Sequence, residues 1–456
     1  ASGEAEKLVV VLSRRAQIIA DPEEKVVHTL RLAAILRDDL GRVDEAVVQY
    51  RAVIEGVDAR NRPSLDALEA IYTAQERWAD LYSVQERKLD AADSDEERAE
   101  TYTNMARIAE SYLGRPDDAV KLYEQVLVIR GEEAETLSAI AALHEAAGRW
   151  QDLIDVLERQ LGSESDSDRR VEIALRVAAV YLEKLGDVER AIEGYRRVLD
   201  IEPASFDALR ALAAIYRHGQ RWDELVVTLQ TLISLGTATL ENDEIKAAWS
   251  ELGTIYWTVL GNGEESIDAW RNALEIDPTD AASLSALLVI HSAREEWREV
   301  VDVLGRQAAV AEDPETKVAL HLQAADVWEQ RIGEPDGARA SYEAVLEADA
   351  LHERAFTALE ALHREAARWD ELSALYVARH DKLAEDGNVA EAVPFMVRAA
   401  KVFDTELGDR EQAFAAAQIA FEEDVTNPEA IAALEAITGA SSKWNDLLKT
   451  TMESYT

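Results

Sequence analysis

Arg221-Trp222-Asp223-Glu224-Leu225 reads as basic, tryptophan, any residue, acidic, apolar, and the pattern returns along the chain. It stands at Arg77-Trp78-Ala79-Asp80-Leu81, Arg149-Trp150-Gln151-Asp152-Leu153 and Arg368-Trp369-Asp370-Glu371-Leu372, and with lysine first at Lys443-Trp444-Asn445-Asp446-Leu447. The copy Glu296-Trp297-Arg298-Glu299-Val300 departs at its first residue. Successive tryptophans are 72, 72, 75, 72 and 75 residues apart, and six of the ten tryptophans occupy this one place. Gly41, Gly114, Gly186, Gly261, Gly333 and Gly408 run in phase, each 36 residues before its tryptophan except the first, at 37. A period halved in this way gives segments long enough for one helix–turn–helix hairpin each.

Both halves carry apolar residues at helical spacing, as in Leu209, Leu212, Ala213 and Tyr216. Trp249, Leu252, Gly253 and Tyr256 form one ordered series; Gly261, Ser266, Trp270, Ala273 and Pro278 form a second, repeated as Gly186, Ala191, Tyr195, Val198 and Pro203. On these residues the chain resembles the tetratricopeptide repeat family. The turn before the glycine is one residue longer than that family's spacing, and Asp58, Gly131, Ala350 and Val425 replace its proline. The resemblance implies an all-α fold, a right-handed α-α superhelix of stacked antiparallel hairpins.

The family's small first-helix position is held by Ala33, Ala106, Ala178, Gly253, Ala325 and Ala400. Its small second-helix position is held by Ala46, Ala119, Ala191, Ser266, Ala338 and Ala413. Small side chains at a crossing let two helices approach to about 8 Å. Tyr50, Tyr123, Tyr195, Trp270 and Tyr342 are then expected to fill the groove between hairpins. In the alternate half Leu153, Leu225 and Leu372 replace the small residue, so its hairpins should pack differently. Trp78, Trp150, Trp222, Trp297, Trp369 and Trp444 are read as closing a hairpin corner at a helix start, the following acid complementing the helix dipole.

Lys7-Leu8-Val9-Val10-Val11-Leu12 aligns with Glu224-Leu225-Val226-Val227-Thr228-Leu229, so the chain opens in the last helix of a period. The expected organisation is one solenoid over 1–456 with about 25 helices. A leading helix at 4–20 precedes four-helix periods at 22–91, 94–162, 167–236, 240–311, 313–385 and 388–456. Neither end carries a polar cap, and Ala1-Ser2-Gly3-Glu4 lacks a start methionine, so a piece of a longer protein is expected.

Scarce Gly (20) and Pro (9) suit a helical chain of 456 residues. Ninety acidic against 48 basic residues give a net charge of −42, which repels nucleic acid and anionic lipid and favours basic partners. Without cysteine there is no disulfide, thiolate metal site or cysteine nucleophile, while the compartment, cytoplasmic or exported, stays open. No run approaches the roughly 18–20 apolar residues of a membrane span, and no Asn-x-Ser/Thr sequon occurs. The excess of Arg over Lys and the abundant Ala point to a GC-rich bacterial genome.

His144, His291 and His363 each lie six residues before a corner tryptophan, where Tyr72 and Tyr216 stand in other periods, and His321 shares its position with Trp249. They read as core aromatics, not ligands. No His-Glu-x-x-His or Gly-x-x-x-x-Gly-Lys-Ser/Thr motif is present, and Gly261-Asn262-Gly263 reads as a helix–helix turn. Asp93-Ser94-Asp95-Glu96 and Ser163-Glu164-Ser165-Asp166-Ser167-Asp168 lack the glycine and closing glutamate of a calcium loop and read as helix caps. Some tetratricopeptide proteins grip a peptide carboxylate with first-helix Lys, Arg and Asn; Thr103-Asn104 and Ser250 to Thr258 do not supply that set. The expectation is a non-catalytic protein–protein scaffold with no cofactor, no metal and no nucleic acid or membrane insertion, binding basic or amphipathic segments. The alternative is a subunit that assembles head to tail into a filament.

Overall fold

The structure, a computed structural model, describes residues 2–441. Those residues hold 24 α-helices and no strand. α1 (Ser2–Ile18) leads into α2 (Pro22–Ala34), α3 (Val43–Gly56), α4 (Arg62–Ala74) and α5 (Trp78–Ala91). α6 (Asp95–Ser111), α7 (Pro116–Arg130), α8 (Ala134–Ala146) and α9 (Trp150–Ser163) follow. Next come α10 (Ser167–Val180), α11 (Val188–Ile201), α12 (Phe206–His218) and α13 (Trp222–Gly236), then α14 (Asn242–Thr258), α15 (Gly263–Ile276), α16 (Ala281–Ala293) and α17 (Trp297–Val310). The last seven are α18 (Pro314–Val327), α19 (Pro335–Ala348), α20 (Glu353–Glu365), α21 (Trp369–Glu385), α22 (Val389–Val402), α23 (Arg410–Glu423) and α24 (Pro428–Ser441). The motif at Trp444, and the further helix expected after it, lie outside the described residues.

Helix starts follow from local chemistry. Asp21, Ser94, Asp166, Asp280 and Asp313 stand at N-caps, their side chains accepting a backbone N–H of the first turn. The acidic stretches therefore act as caps: Ser94 Oγ accepts from the Glu97 N–H at 3.1 Å and Asp166 Oδ1 from the Arg169 N–H at 3.0 Å. Proline opens α2, α7 and α19, where its missing N–H costs nothing.

The extra residue before the repeat glycines is wound into the helix. Ile35–Asp39, Tyr181–Leu185, Trp328–Ile332 and Phe403–Leu407 are π-helical extensions of α2, α10, α18 and α22. The N–H of Leu40 donates to the Ile35 carbonyl and that of Gly333 to the Trp328 carbonyl, both reaching five residues back. Gly186, Gly333 and Gly408 then take left-handed conformations at φ 66°, 76° and 68°, ending the helix where a Cβ would be strained.

The chain divides into two compact units, Ala1–Arg221 and Trp222–Thr456. In the first, α1 to α5 share one apolar core around Leu32, Leu65 and Leu68, and α6 to α10 share a second around Leu137, Ile140 and Leu153. In the second, α20 to α24 enclose Phe356, Tyr376, Met396 and Leu434, with smaller clusters along α15 to α19. Within each unit, consecutive helices pack on one another.

Candidate functional site

No three His, Asp or Glu side chains gather into a metal-holding group among the described residues. What repeats is a hairpin corner, built around each tryptophan. Trp78, Trp150, Trp222, Trp297 and Trp369 are each the first residue of their helix, and each is half-buried. Two residues earlier, Glu76, Gly148, Gln220, Glu295 and Ala367 all have positive φ, between 53° and 68°. The residue between them donates its backbone N–H to the carbonyl of the aromatic residue six before the tryptophan: Arg77 to Tyr72, Arg149 to His144, Arg221 to Tyr216, Glu296 to His291 and Arg368 to His363, at 2.8 to 2.9 Å. The ring of that aromatic is buried in every copy. His144, His291 and His363 therefore sit in the core, spread along the chain and not brought together.

In three copies the corner arginine ties this hairpin to the preceding one, whereas Arg77 pairs with Asp80 on its own helix at 2.7 Å. Arg149 meets Asp117 at 2.7 Å, Arg221 meets Glu189 at 3.0 Å and Arg368 meets Asp336 at 2.7 Å. In the copy with Glu296, the cation has moved two residues upstream. Arg294 pairs with Glu296 at 2.7 Å and lies 3.7 Å from Glu264, the acid at the matching place. The freed carboxylate takes His291, Nδ1 to Oε2 at 2.6 Å, and this contact and Arg294 hold Glu296 below the usual carboxylate range. That compensation was invisible in the five-residue pattern.

The exposed side of the tryptophan is also used. Tyr112, Lys184 and Arg331, each two residues before a repeat glycine, cover Trp78, Trp150 and Trp297. Trp78 and Tyr112 stack in parallel, while Lys184 and Arg331 lie 5.5 and 4.9 Å from the ring centroids, within cation–π range. The sequence offered no signal for this position, because an aromatic, a lysine and an arginine share only a flat or cationic face.

The small-residue markers are buried. Ala33, Ala106, Ala178, Ala325 and Ala400 are fully buried, as are Ala46, Ala119, Ala191, Ser266, Ala338 and Ala413. Gly253 is buried against Trp270: a Cβ there would meet the indole Nε1 at 2.6 Å. Ser266, in the alanine position, spends its hydroxyl on the Gly253 carbonyl at 2.7 Å.

Two kinds of surface remain for a partner. A cleft of about 480 Å³ between α8, α9 and α10 has Leu157 and Ile173 as apolar lining and Glu132, Arg169, Glu172 and Arg176 as charged lining. Gln160 Nε2 donates to Ser138 Oγ there at 3.0 Å. Such a cleft offers donors and acceptors to an extended chain, and no acid–base pair is singled out in it. Grooves between alternate helices form the second kind, such as that between α9 and α11 over α10.

The fold and these corners define an all-α repeat protein of stacked helix hairpins. Family models described as tetratricopeptide repeat match residues 64–100, 101–135, 136–171 and 173–205, which supports a tetratricopeptide-like helical repeat. Tetratricopeptide repeat protein 8 of Caenorhabditis elegans is 25% identical over 191 residues, 42% of this chain. The alignment spans 36% of that relative's length. Among solved structures, the C-terminal part of a TPR repeat-containing protein from Cytophaga hutchinsonii covers 57% of this chain and 99% of its own, at 14% identity and a TM-score of 0.31. Naa15/Naa10 bound to HypK-THB covers 95% and 71% at 13% identity and a TM-score of 0.33. Repeats of this family support a protein–protein interaction scaffold, and no helix among the described residues is long and apolar enough to cross a membrane.

Proposed function

We propose that residues 1–456 form one non-catalytic tetratricopeptide-like scaffold that holds basic or amphipathic segments of partner proteins along its hairpins. The observation that supports this reading is the use of the corner residues. Tryptophan, arginine and the buried histidines or tyrosines are used in closing the hairpins, which leaves the exposed helix faces for a partner. With a net charge of −42, those faces attract cationic ligands. Affinity capture with the full chain, repeated across a salt series, tests it: basic partners released by salt support the reading, and neutral or acidic partners insensitive to salt refute it.

A further inference from the structure

The groove between α17 and α19 differs from its counterpart 147 residues earlier, between α9 and α11. In the earlier groove Arg197 reaches across to Glu158 at 2.7 Å, and Arg190 and Glu193 add charge to its lining. The matching residues in the later groove are Ala344, Gly305, Gly337 and Ala340. Over Gly305 no side chain spans it among the described residues, although at one end Arg298 on α17 pairs with Glu334 at the start of α19. Two adjoining cavities of about 380 and 370 Å³ result, with His321 on α18 lining both and Trp328 lining the larger.

Packing explains only part of this. A Cβ at Gly337 would meet Trp328 Cδ2 at 2.2 Å, so glycine is required there. Gly305 is different: a Cβ at that position has nothing within 4 Å. A glycine inside a helix is less stable than alanine, and at 305 no neighbour demands it. The other periods place Glu86, Glu158, Gln230 and Val377 at this position. The space over Gly305 is thus kept open at the expense of helix stability.

The surroundings say what would fill it. Between residues 297 and 349 there are twelve carboxylates against five Lys and Arg. Two of those cations are taken locally, Arg298 by Glu334 and Arg339 by Asp336 and Glu343. Asp302 and Glu347 line the groove and are exposed; Arg298, held by Glu334, and Lys317 line it as well. An apolar trough set in a segment with so large an excess of carboxylates complements a helix with one apolar and one basic face.

We propose that the groove between α17 and α19 docks a basic amphipathic helix of a partner protein, seating an apolar side chain over Gly305 and setting Lys or Arg against Asp302 and Glu347. The proposal rests on the scaffold reading and names its docking surface.

The test reinstates the ion pair of the earlier groove in the full chain. Gly305→Glu with Ala344→Arg should fold, because Glu158 and Arg197 are accommodated at the same places between α9 and α11. The probe is a synthetic Leu/Lys amphipathic helix of roughly 18 residues, with a Gln-for-Leu control of equal charge. Binding is read by fluorescence anisotropy at about 150 mM salt. The Leu/Lys helix should bind the wild type, the Gln control should bind much more weakly, and the double variant should lose about tenfold or more in affinity with unchanged circular dichroism. If the double variant unfolds, Gly305→Gln, the residue type at Gln230, is measured in its place. Equal affinity for wild type and variant, equal binding of the Gln control, or no binding to the wild type overturns the groove. Salt-sensitive partners in the capture experiment, unaffected by the double substitution, would leave the scaffold reading standing without this groove.

Discussion

The ring centroids of Trp78 and Tyr112 lie 3.7 Å apart at an interplanar angle of 10°, joining the corner of one hairpin to the end of α6 in the next. Tyr112 is 53% exposed, so the stack lies at the surface and its contribution is modest. An aromatic pair adds about 0.5–1.5 kcal/mol beyond the area it buries. We expect Tyr112→Ala to lower unfolding stability by about 1 kcal/mol. Tyr112→Lys should recover part of it, because Lys184 covers Trp150 at the equivalent place. Chemical denaturation of the two variants checks this; equal losses for Ala and Lys would show that the stack carries nothing.

Gly253 and Trp270 are a matched pair. Replacing a mid-helix glycine with alanine ordinarily stabilises a helix by about 1 kcal/mol. Here the new Cβ would fall 2.6 Å from Trp270 Nε1, and overpacking of that kind costs about 1–3 kcal/mol. Gly253→Ala should therefore be neutral or destabilising. Adding Trp270→Tyr, the residue at 50, 123, 195 and 342, should turn the same alanine into a gain. A double-mutant cycle by denaturation measures the coupling, and additive effects would refute it.

The hairpin frame was legible because a helix crossing and a tight corner each accept few residue types. Small residues at Ala33 or Ala106 and the tryptophan with its preceding base survive as letters. Relations across the chain leave no such trace. Arg294 serves the corner of Trp297 from two residues upstream, using Glu264 on α15, so the pattern reads Glu296 as a defect when the cation has only moved. The cover over each tryptophan is likewise chemical and not literal, being Tyr112, Lys184 or Arg331. The groove over Gly305 was hidden for another reason: it is made by side chains that are absent.

The left-handed residue before each corner gives a third expectation. Gly148 occupies this place in one copy, while Gln220 at φ 54° and Ala367 at φ 53° hold it with side chains. For a residue with a Cβ the left-handed region costs about 1–2 kcal/mol. Gln220→Gly and Ala367→Gly should each raise stability by up to about 1 kcal/mol, less than the strain because glycine also loosens the unfolded chain. Gly148→Ala should lower it by a similar amount. Thermal melts of the three variants check the signs, and a destabilised Ala367→Gly would contradict the account.

Two kinds of buried histidine should respond oppositely to pH. His380 on α21 places Nε2 2.7 Å from Glu423 and Nδ1 2.9 Å from Asp381, so both ring nitrogens face carboxylates and the imidazolium fits. Burial opposes that charge, yet the two acids outweigh it and hold the pKa above its ordinary value. The stabilisation is therefore complete below the unfolded pKa near 6.5 and fades as pH rises through the raised folded value. His363 is the reverse: burial pushes its pKa down, so it folds neutral, and its contribution is lost as pH falls and the unfolded chain takes up the proton. The melting-temperature gap between wild type and His380→Gln should thus be larger at mildly acidic pH than in alkaline solution. His363→Tyr, borrowing the residue of Tyr72 and Tyr216, should gain on wild type as pH falls. Gaps that do not change with pH would mean that neither ring titrates with folding.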